Sequence, residues 1–204
     1  MAKVKISKKS TRIDMTAMCD VAFLLLSFFI MTATAKQPEP LPVDTPESTV
    51  QTKLPDENLA TINVGGKKVF FTILGTEVRK KTLEKIGAKY NVTFTAKEIE
   101  EFSNLQGFGV PLNQLKGLLA LESGERLKEG LQPGIPYDSV NNQLNDWVLA
   151  AREAAKDIEF KDLDIAIKGD AKEDYTTVKR VIDILQDQKK NRFFLVTGLR
   201  NQEF

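Results

Sequence analysis

The chain has 204 residues, a formal net charge of +1 and a hydrophobic fraction of 42%, which suits one modest folded domain with room for a membrane segment. It contains no histidine and one cysteine, Cys19, which excludes histidine-based triads, histidine–carboxylate zinc sites and an internal disulfide. Its near-neutral charge gives no general attraction to nucleic acid, and no nucleotide-binding glycine motif occurs, so we expect no cofactor.

The first predicted element is a transmembrane helix over residues 15–35, preceded by a basic N-terminus over residues 1–14. At about 1.5 Å per residue, this segment covers roughly 30 Å, the thickness of a hydrocarbon core. The positive-inside rule then places the N-terminus in the cytoplasm and exports everything after residue 35. Five basic residues and one acidic residue precede the segment: Lys3, Lys5, Lys8, Lys9, Arg12 and Asp14.

Asp20 is the only charged residue between positions 15 and 35. A carboxylate at the centre of a membrane costs about 2.5–3.5 kcal/mol, so such residues usually serve ion or proton pathways. Helical spacing puts Thr16 and Ser27 on the same face as Asp20. This polar stripe should face other helices or water. We therefore predict that Asp20 couples to protons, with Thr16 and Ser27 as the polar helix face near it.

Two alternatives remain open for this segment. It could be a cleaved signal peptide, with an apolar stretch over residues 21–31 and an A-x-A site at residues 33–35, which would make the chain a secreted binding protein. It could also be a plain anchor whose Asp20 reaches toward the interface, which would make the chain a structural envelope tether. Against the signal peptide, the apolar run continues upstream through residues 15–19.

Residues 36–58 are predicted to be a linker, because proline and acidic residues are interleaved there and prevent a packed core. Polyproline II geometry makes a semi-rigid spacer the simplest interpretation. The alternative is that part of the linker adds as a strand to a partner or to a second copy. Five of the eight prolines fall in this range: Pro38, Pro40, Pro42, Pro46 and Pro55.

Residues 59–204 are predicted to form a small α+β domain. Leu59–Val64 and Val69–Ile73 read as a β-hairpin with Gly65-Gly66 as its two-residue turn. Further along, residues 163–167 and 193–197 read as strands on either side of a helix over residues 176–188. This order predicts helices packed on one face of a mixed sheet.

A helix over residues 137–155 is predicted between the hairpin and these last strands, with Asp138 or Ser139 as its N-cap. Its apolar residues recur at helical spacing and define the buried stripe. The stripe consists of Val140, Leu144, Trp147, Val148 and Ala151.

The stretch from about residue 76 to residue 135 is predicted to be helical. Thr95 and Glu98 form a capping box, and Pro111 stands at a helix start. A leucine stripe follows that proline: Leu112, Leu115, Leu118 and Leu119. A basic run is interpreted as a solvated helix face: Arg79, Lys80, Lys81, Lys85 and Lys89.

The run from Ile13 to Thr32 resembles the transmembrane signature of the ExbD/TolR biopolymer-transport family, roughly I-N-V-T-P-x-x-D-V-x-x-x-L-L-I-x-F. Asp20 and Thr16 match its aspartate and threonine, whereas Ala17 and Asp14 replace its usual proline and asparagine. Near the C-terminus, residues that match the family order I-x-x-D-x-x-x-x-Y-x-x-V-x-x-V-x-D-x-L are Ile167, Asp170, Tyr175, Val178, Val181, Asp183 and Leu185.

The resemblance implies a non-enzymatic subunit of the bacterial inner membrane with a periplasmic domain. It implies a homodimer of this chain within a ring of multi-helix ExbB-like subunits. It also implies that the complex is coupled to the proton-motive force and energises a TonB-like protein for outer-membrane transport. The TolR-like alternative works with TolQ and TolA partners in envelope maintenance. Compared with the family, residues 76–135 are expected to be a helical insertion of unassigned purpose.

Overall fold

The computed structural model describes residues 15–33, 41–49, 53–128 and 130–199. The chain divides into two compact units, the first ending at Gln37 and the second beginning at Pro38. In the first unit, α1 runs from Met15 to Thr32. The predicted span reaches residue 35, but Ala33 is not helical, and residues 34 and 35 lie outside the described part.

The second unit contains a mixed four-stranded sheet in the order β3-β2-β4-β5. Its strands are β2 (Leu59–Gly65), β3 (Lys68–Ile73), β4 (Asp164–Gly169) and β5 (Phe194–Leu195). β2 pairs antiparallel with β3 and parallel with β4, and β4 pairs parallel with β5. A second, two-stranded parallel sheet joins β1 (Glu47–Ser48) to β6 (Gly198–Leu199).

In the described part of the second unit, five helices accompany these strands. They are α2 (Thr76–Tyr90), α3 (Ala96–Asn104), α4 (Leu112–Ala120), α5 (Gln143–Glu159) and α6 (Tyr175–Asp187). Together they confirm the expected fold class, a mixed sheet with helices after one membrane-length helix. The capping box of α3 is present as predicted, since Glu98 N donates to Thr95 Oγ1 and Thr95 N donates to Glu98 Oε2.

The predicted hairpin forms, but its turn lies one residue further on. Gly65 pairs with Lys68 inside the ladder, and the turn residues are Gly66 and Lys67, with φ of 57° and 58°. Two consecutive positive φ angles are typical of a type I′ turn. In this register Val64 lies opposite Val69, whereas the predicted turn would have placed Val64 opposite Lys67.

One face of the sheet carries the core, because strand side chains alternate between faces. Ala60, Ile62 and Val64 of β2 lie there, in register with Ile73, Phe71 and Val69 of β3. These residues belong to one buried cluster that also contains apolar residues from each of α2 to α6. Trp147 lies deep in this cluster, with its ring centroid 4.6 Å from that of Phe108 and 5.8 Å from that of Phe102.

α5 begins at Gln143, six positions later than the predicted start at residue 137. Its N-cap is Asn142, whose side chain accepts a hydrogen bond from Asn145 N, and neither Asp138 nor Ser139 caps it. Val140 is consequently outside the helix and fully exposed. The other predicted members of the stripe, Leu144, Trp147, Val148 and Ala151, are buried.

The leucine stripe of α4 is buried as predicted. The segments that flank α4 cover the outer edge of β3. Phe71 N donates to Phe108 O at 2.8 Å, Phe108 N donates back to Phe71 O at 3.0 Å, and Ile135 N donates to Val69 O at 2.8 Å. An uncovered edge strand is a template for unwanted pairing, so residues within the expected insertion protect this side of the sheet.

Candidate functional site

The sequence-predicted site lies on α1, whose 18 residues contain neither glycine nor proline. At 1.5 Å per residue the helix is about 27 Å long, and by length and composition it can cross a membrane. None of its residues is buried. Its apolar side chains therefore find no cover among the described residues, which is the condition of a helix that packs against lipid or against other chains.

Thr16 and Asp20 are neighbours on one face of α1, since residues four positions apart lie one turn apart. Ser27 lies on the same face but seven residues further, about 10.5 Å along the axis. That separation exceeds the reach of a direct hydrogen bond between the side chains of Ser27 and Asp20. The geometry thus brings Thr16 next to Asp20 and leaves Ser27 further along the predicted stripe.

Two hydroxyl groups of α1 bond within the helix. Ser27 Oγ donates to Leu24 O at 2.9 Å, and Thr32 Oγ1 donates to Phe28 O at 2.8 Å. A serine hydroxyl has one proton to donate, so in this arrangement Ser27 offers only acceptor lone pairs to a water or a neighbouring helix. Back-bonding of this kind satisfies a hydroxyl in an apolar helix.

Asp20 is exposed, and its carboxylate has no hydrogen-bond or ion-pair partner within the described residues. An ionised carboxylate in a membrane needs a partner or water. Any partner must therefore come from outside the described chain. Chemically, a lone carboxyl group that can exchange with water can accept and release one proton. Across the described ranges no group of three or more His, Cys, Asp or Glu side chains could hold a metal ion.

Asp162, in the second unit, differs from Asp20 because its carboxylate is hydrogen-bonded to basic side chains. Arg152 Nε and Nη2 both donate to its carboxylate at 3.1 Å, and Lys190 Nζ donates to it at 3.1 Å. Partial burial opposes ionisation of this group, but the hydrogen bonds and charges of Arg152 and Lys190 outweigh it and lower the pKa of Asp162 from 3.8 to about 2. This cluster connects α5 to the loop that precedes β5.

The basic run on α2 is less solvated than predicted. Arg79 is half-buried, and its guanidinium donates to the main-chain oxygens of Ser103 and Leu105 at the end of α3. Burial lowers the pKa of Arg79 below its usual value. Lys85 forms ion pairs with Glu153 and Asp157 of α5. These cations join α2 to neighbouring helices, which the linear spacing of charges could not reveal.

Part of the expected linker is attached to the second unit. Ala171 N donates to Asp44 O at 2.7 Å, Gly198 N donates to Pro46 O at 2.9 Å, and β1 pairs with β6. The expected spacer thus includes residues that bond to the domain of their own chain.

The sequence comparisons agree with this architecture. The model of the family described as "Biopolymer transport protein ExbD/TolR" matches residues 7–199, a wider range than the two segments that carried the resemblance. No curated protein matches the chain significantly. The family match covers nearly the whole chain and includes a membrane-length helix followed by a mixed sheet with helices. The chain therefore belongs to the ExbD/TolR family of biopolymer transport proteins.

Proposed function

We propose that this chain is a proton-motive-force-coupled subunit of an inner-membrane motor. In this proposal α1 stands with a second copy inside a ring of ExbB-like multi-helix subunits, and the complex energises a TonB-like protein for outer-membrane transport. The N-terminus faces the cytoplasm, and the domain after the linker faces the periplasm. The proposed domains keep their predicted limits, with a linker over residues 36–58 and a helical insertion over residues 76–135.

The observation that carries the proposal is the isolation of the Asp20 carboxylate. It is the only charge on α1, and it has no partner among the described residues. Surrounding helices and water would supply the missing contacts. As those surroundings change, the balance between the neutral and the charged carboxyl changes with them, which allows proton uptake on one side and release on the other.

The energy available from proton movement suits such a role. One elementary charge crossing a potential of 100 mV yields about 2.3 kcal/mol. A working stroke that rearranges several helix contacts therefore needs several protons. Thr16, one turn from Asp20, is proposed to hydrogen-bond the carboxyl group or an intervening water, and Ser27 to accept from water further along the stripe.

The first test is Asp20→Asn, which keeps the shape of the side chain and removes its titration. We expect the complex to assemble normally while energised transport is lost. Thr32→Val is the matched control, because it also removes a polar group from α1, but one that bonds only to its own helix. Uptake of a substrate that requires energised outer-membrane transport is the measurement. Normal uptake by the Asp20→Asn variant would reject proton coupling through this residue.

The second test identifies the partners. The chain is purified gently from membranes through a C-terminal tag, and the intact complex is analysed by mass spectrometry. Co-purification with ExbB-like and TonB-like chains supports the proposal, whereas TolQ-like and TolA-like chains assign the envelope-maintenance role. A chain that begins near residue 36 and arrives alone would show that the first segment is a removed signal peptide.

A further inference from the structure

The polar stripe of α1 is interrupted between Asp20 and Ser27. The six residues between them are all apolar and contribute about 9 Å of helix. At about 100° per residue, Phe23 and Leu24 lie about 60° and 40° from Asp20 around the helix axis, on the same face. We call these two residues the apolar pair. Thr16 lies one turn from Asp20 in the other direction, so the nearest polar neighbour on this face is on the N-terminal side.

The apolar pair inclines toward Asp20. In an α-helix the Cα–Cβ bonds tilt toward the N-terminus, so the side chains of Phe23 and Leu24 cover the turn next to Asp20 rather than the turn that contains Ser27. Both side chains are exposed. They can therefore pack against helices of neighbouring subunits and close the space on this side of the carboxylate.

Beyond the apolar pair, two hydroxyl groups of α1 donate to their own helix. Ser27 Oγ donates to Leu24 O at 2.9 Å, and Thr32 Oγ1 donates to Phe28 O at 2.8 Å. Each hydroxyl has one proton, so neither has a proton left to donate to water. A buried water needs several hydrogen bonds to polar groups, and residues 21–26 have no polar side chain. The side chains of α1 therefore give a water no hydrogen-bond partner in that stretch.

We propose that the apolar pair excludes water, and hence protons, from the C-terminal side of the Asp20 carboxylate. This inference rests on the proposed function, in which that side faces the periplasm and Asp20 carries the proton. Hydrophobic constrictions in membrane proteins close a pathway by excluding water. With the pathway closed, the carboxyl group exchanges protons from the Thr16 side, and a periplasmic proton reaches it after α1 moves relative to its neighbours. Proton passage then requires that movement.

The test measures proton entry into liposomes that contain the complex, purified from membranes with its accompanying subunits. A potassium diffusion potential drives protons inward, and a pH-sensitive dye inside the liposomes reports their entry. Leu24→Ser gives a transient water a hydrogen-bond partner within the apolar pair, and it should raise the rate of proton entry by about fivefold or more. Phe23→Ser should act in the same way, and it keeps the test decisive if Leu24→Ser does not assemble.

Leu25→Ser is the matched control, because Leu25 is the next leucine of the helix but lies about 140° from Asp20 around the axis. It introduces the same hydroxyl, and we expect it to leave the rate of proton entry unchanged. The double variant Asp20→Asn, Leu24→Ser tests whether the leak passes through Asp20. We expect the double variant to admit protons no faster than the unmodified chain.

The proposal is overturned if Leu24→Ser and Phe23→Ser both leave proton entry unchanged, or if Leu25→Ser raises it as much as Leu24→Ser. A leak that persists in the double variant would also overturn it, because the protons would then bypass Asp20. The failure of this proposal and the failure of the proposed function are distinguishable. Normal uptake by Asp20→Asn rejects the proposed function, whereas the leak rates decide the role of the apolar pair.

Discussion

α1 and the second unit differ in how they place charged groups next to apolar side chains. In the second unit the apolar side chains cover one another, and the carboxylate of Asp162 forms ion pairs with Arg152 and Lys190. In α1 no residue is buried, and Asp20 has no partner among the described residues. The described domain therefore contains its own stabilising contacts, whereas the side chains of α1 find no such cover among the described residues.

The largest expected effect is a loss of stability when a buried aromatic side chain of the domain is truncated, with no such loss for an exposed one on α1. Trp147 is 1% exposed and contacts Phe102 and Phe108, so Trp147→Ala should lower the free energy of unfolding of the domain by about 3–5 kcal/mol. Phe29 of α1 is 64% exposed, and Phe29→Ala should leave the domain's unfolding unchanged. Denaturant unfolding of the full-length chain in micelles, followed by circular dichroism, measures both. Equal effects would mean that α1 shares the stability of the domain.

A smaller effect should come from the ion-paired aspartate of the second unit, Asp162. Asp162→Asn leaves Arg152 and Lys190 without their carboxylate, although their side chains are only 11% and 10% exposed. Removing one partner of a buried pair costs several kcal/mol, and the partial exposure of Asp162 reduces this to about 1–2 kcal/mol. The fluorescence of Trp147 during unfolding provides the measurement. Asp187→Asn, at the exposed end of α6, should change nothing, and a similar loss in both variants would contradict the role of this cluster.

The same cluster predicts a dependence on pH. The folded-state pKa of Asp162 is about 2, below its ordinary value of 3.8. A carboxylate with a lowered pKa stabilises the folded state above its unfolded-state value and loses this contribution as pH falls through the folded-state value. The difference in unfolding free energy between the unmodified chain and Asp162→Asn should therefore be constant above about pH 5 and shrink between pH 4 and pH 2. A constant difference down to pH 2 would contradict the lowered pKa.

The smallest effect concerns the capping box of α3. Thr95→Ala removes the side chain that accepts from Glu98 N, and loss of an N-cap costs about 1 kcal/mol. Thermal unfolding followed by Trp147 fluorescence should show a correspondingly lower midpoint. Thr93→Ala, two residues earlier on an exposed loop, is the control. Equal midpoints for the two variants would show that α3 does not contribute to the cooperative unit.

Several elements could be predicted from sequence because their signals are local. The hairpin, the capping box at Thr95 and the leucine stripe of α4 depend on residues that are close in the chain, and each is present. The predicted turn position and the predicted start of α5 are wrong by one and by six residues. In the structure, Val64 pairs with Val69 across the shifted turn, and Leu144 N at the start of α5 donates to Pro136 O; the apolar and glycine pattern alone did not distinguish these boundaries from the predicted ones.

The remaining features depend on residues that are distant in the sequence. Arg79 donates to the main-chain oxygen of Ser103, and Asp162 accepts hydrogen bonds from Arg152 and Lys190, which lie on either side of it in the sequence. No spacing rule connects such positions. At the candidate site, the proximity of Asp20 and Thr16 can be predicted from helical periodicity alone, while the intrahelical bond of Ser27 is visible only in three dimensions. The coupling role of Asp20 stays a prediction, since none of the described residues contacts its carboxylate.

The pairing of β1 with β6 has a mechanical consequence. Tension applied to the chain ahead of Leu41 reaches the folded unit through the segment that holds β1, and this pair spans only two residues per strand. Beyond it, β2 is held on both sides by ladders of six residue pairs each. A pulling force should peel the short pair first and lengthen the tether while the four-stranded sheet remains intact. The β1–β6 pair should therefore separate at a lower force than the four-stranded sheet.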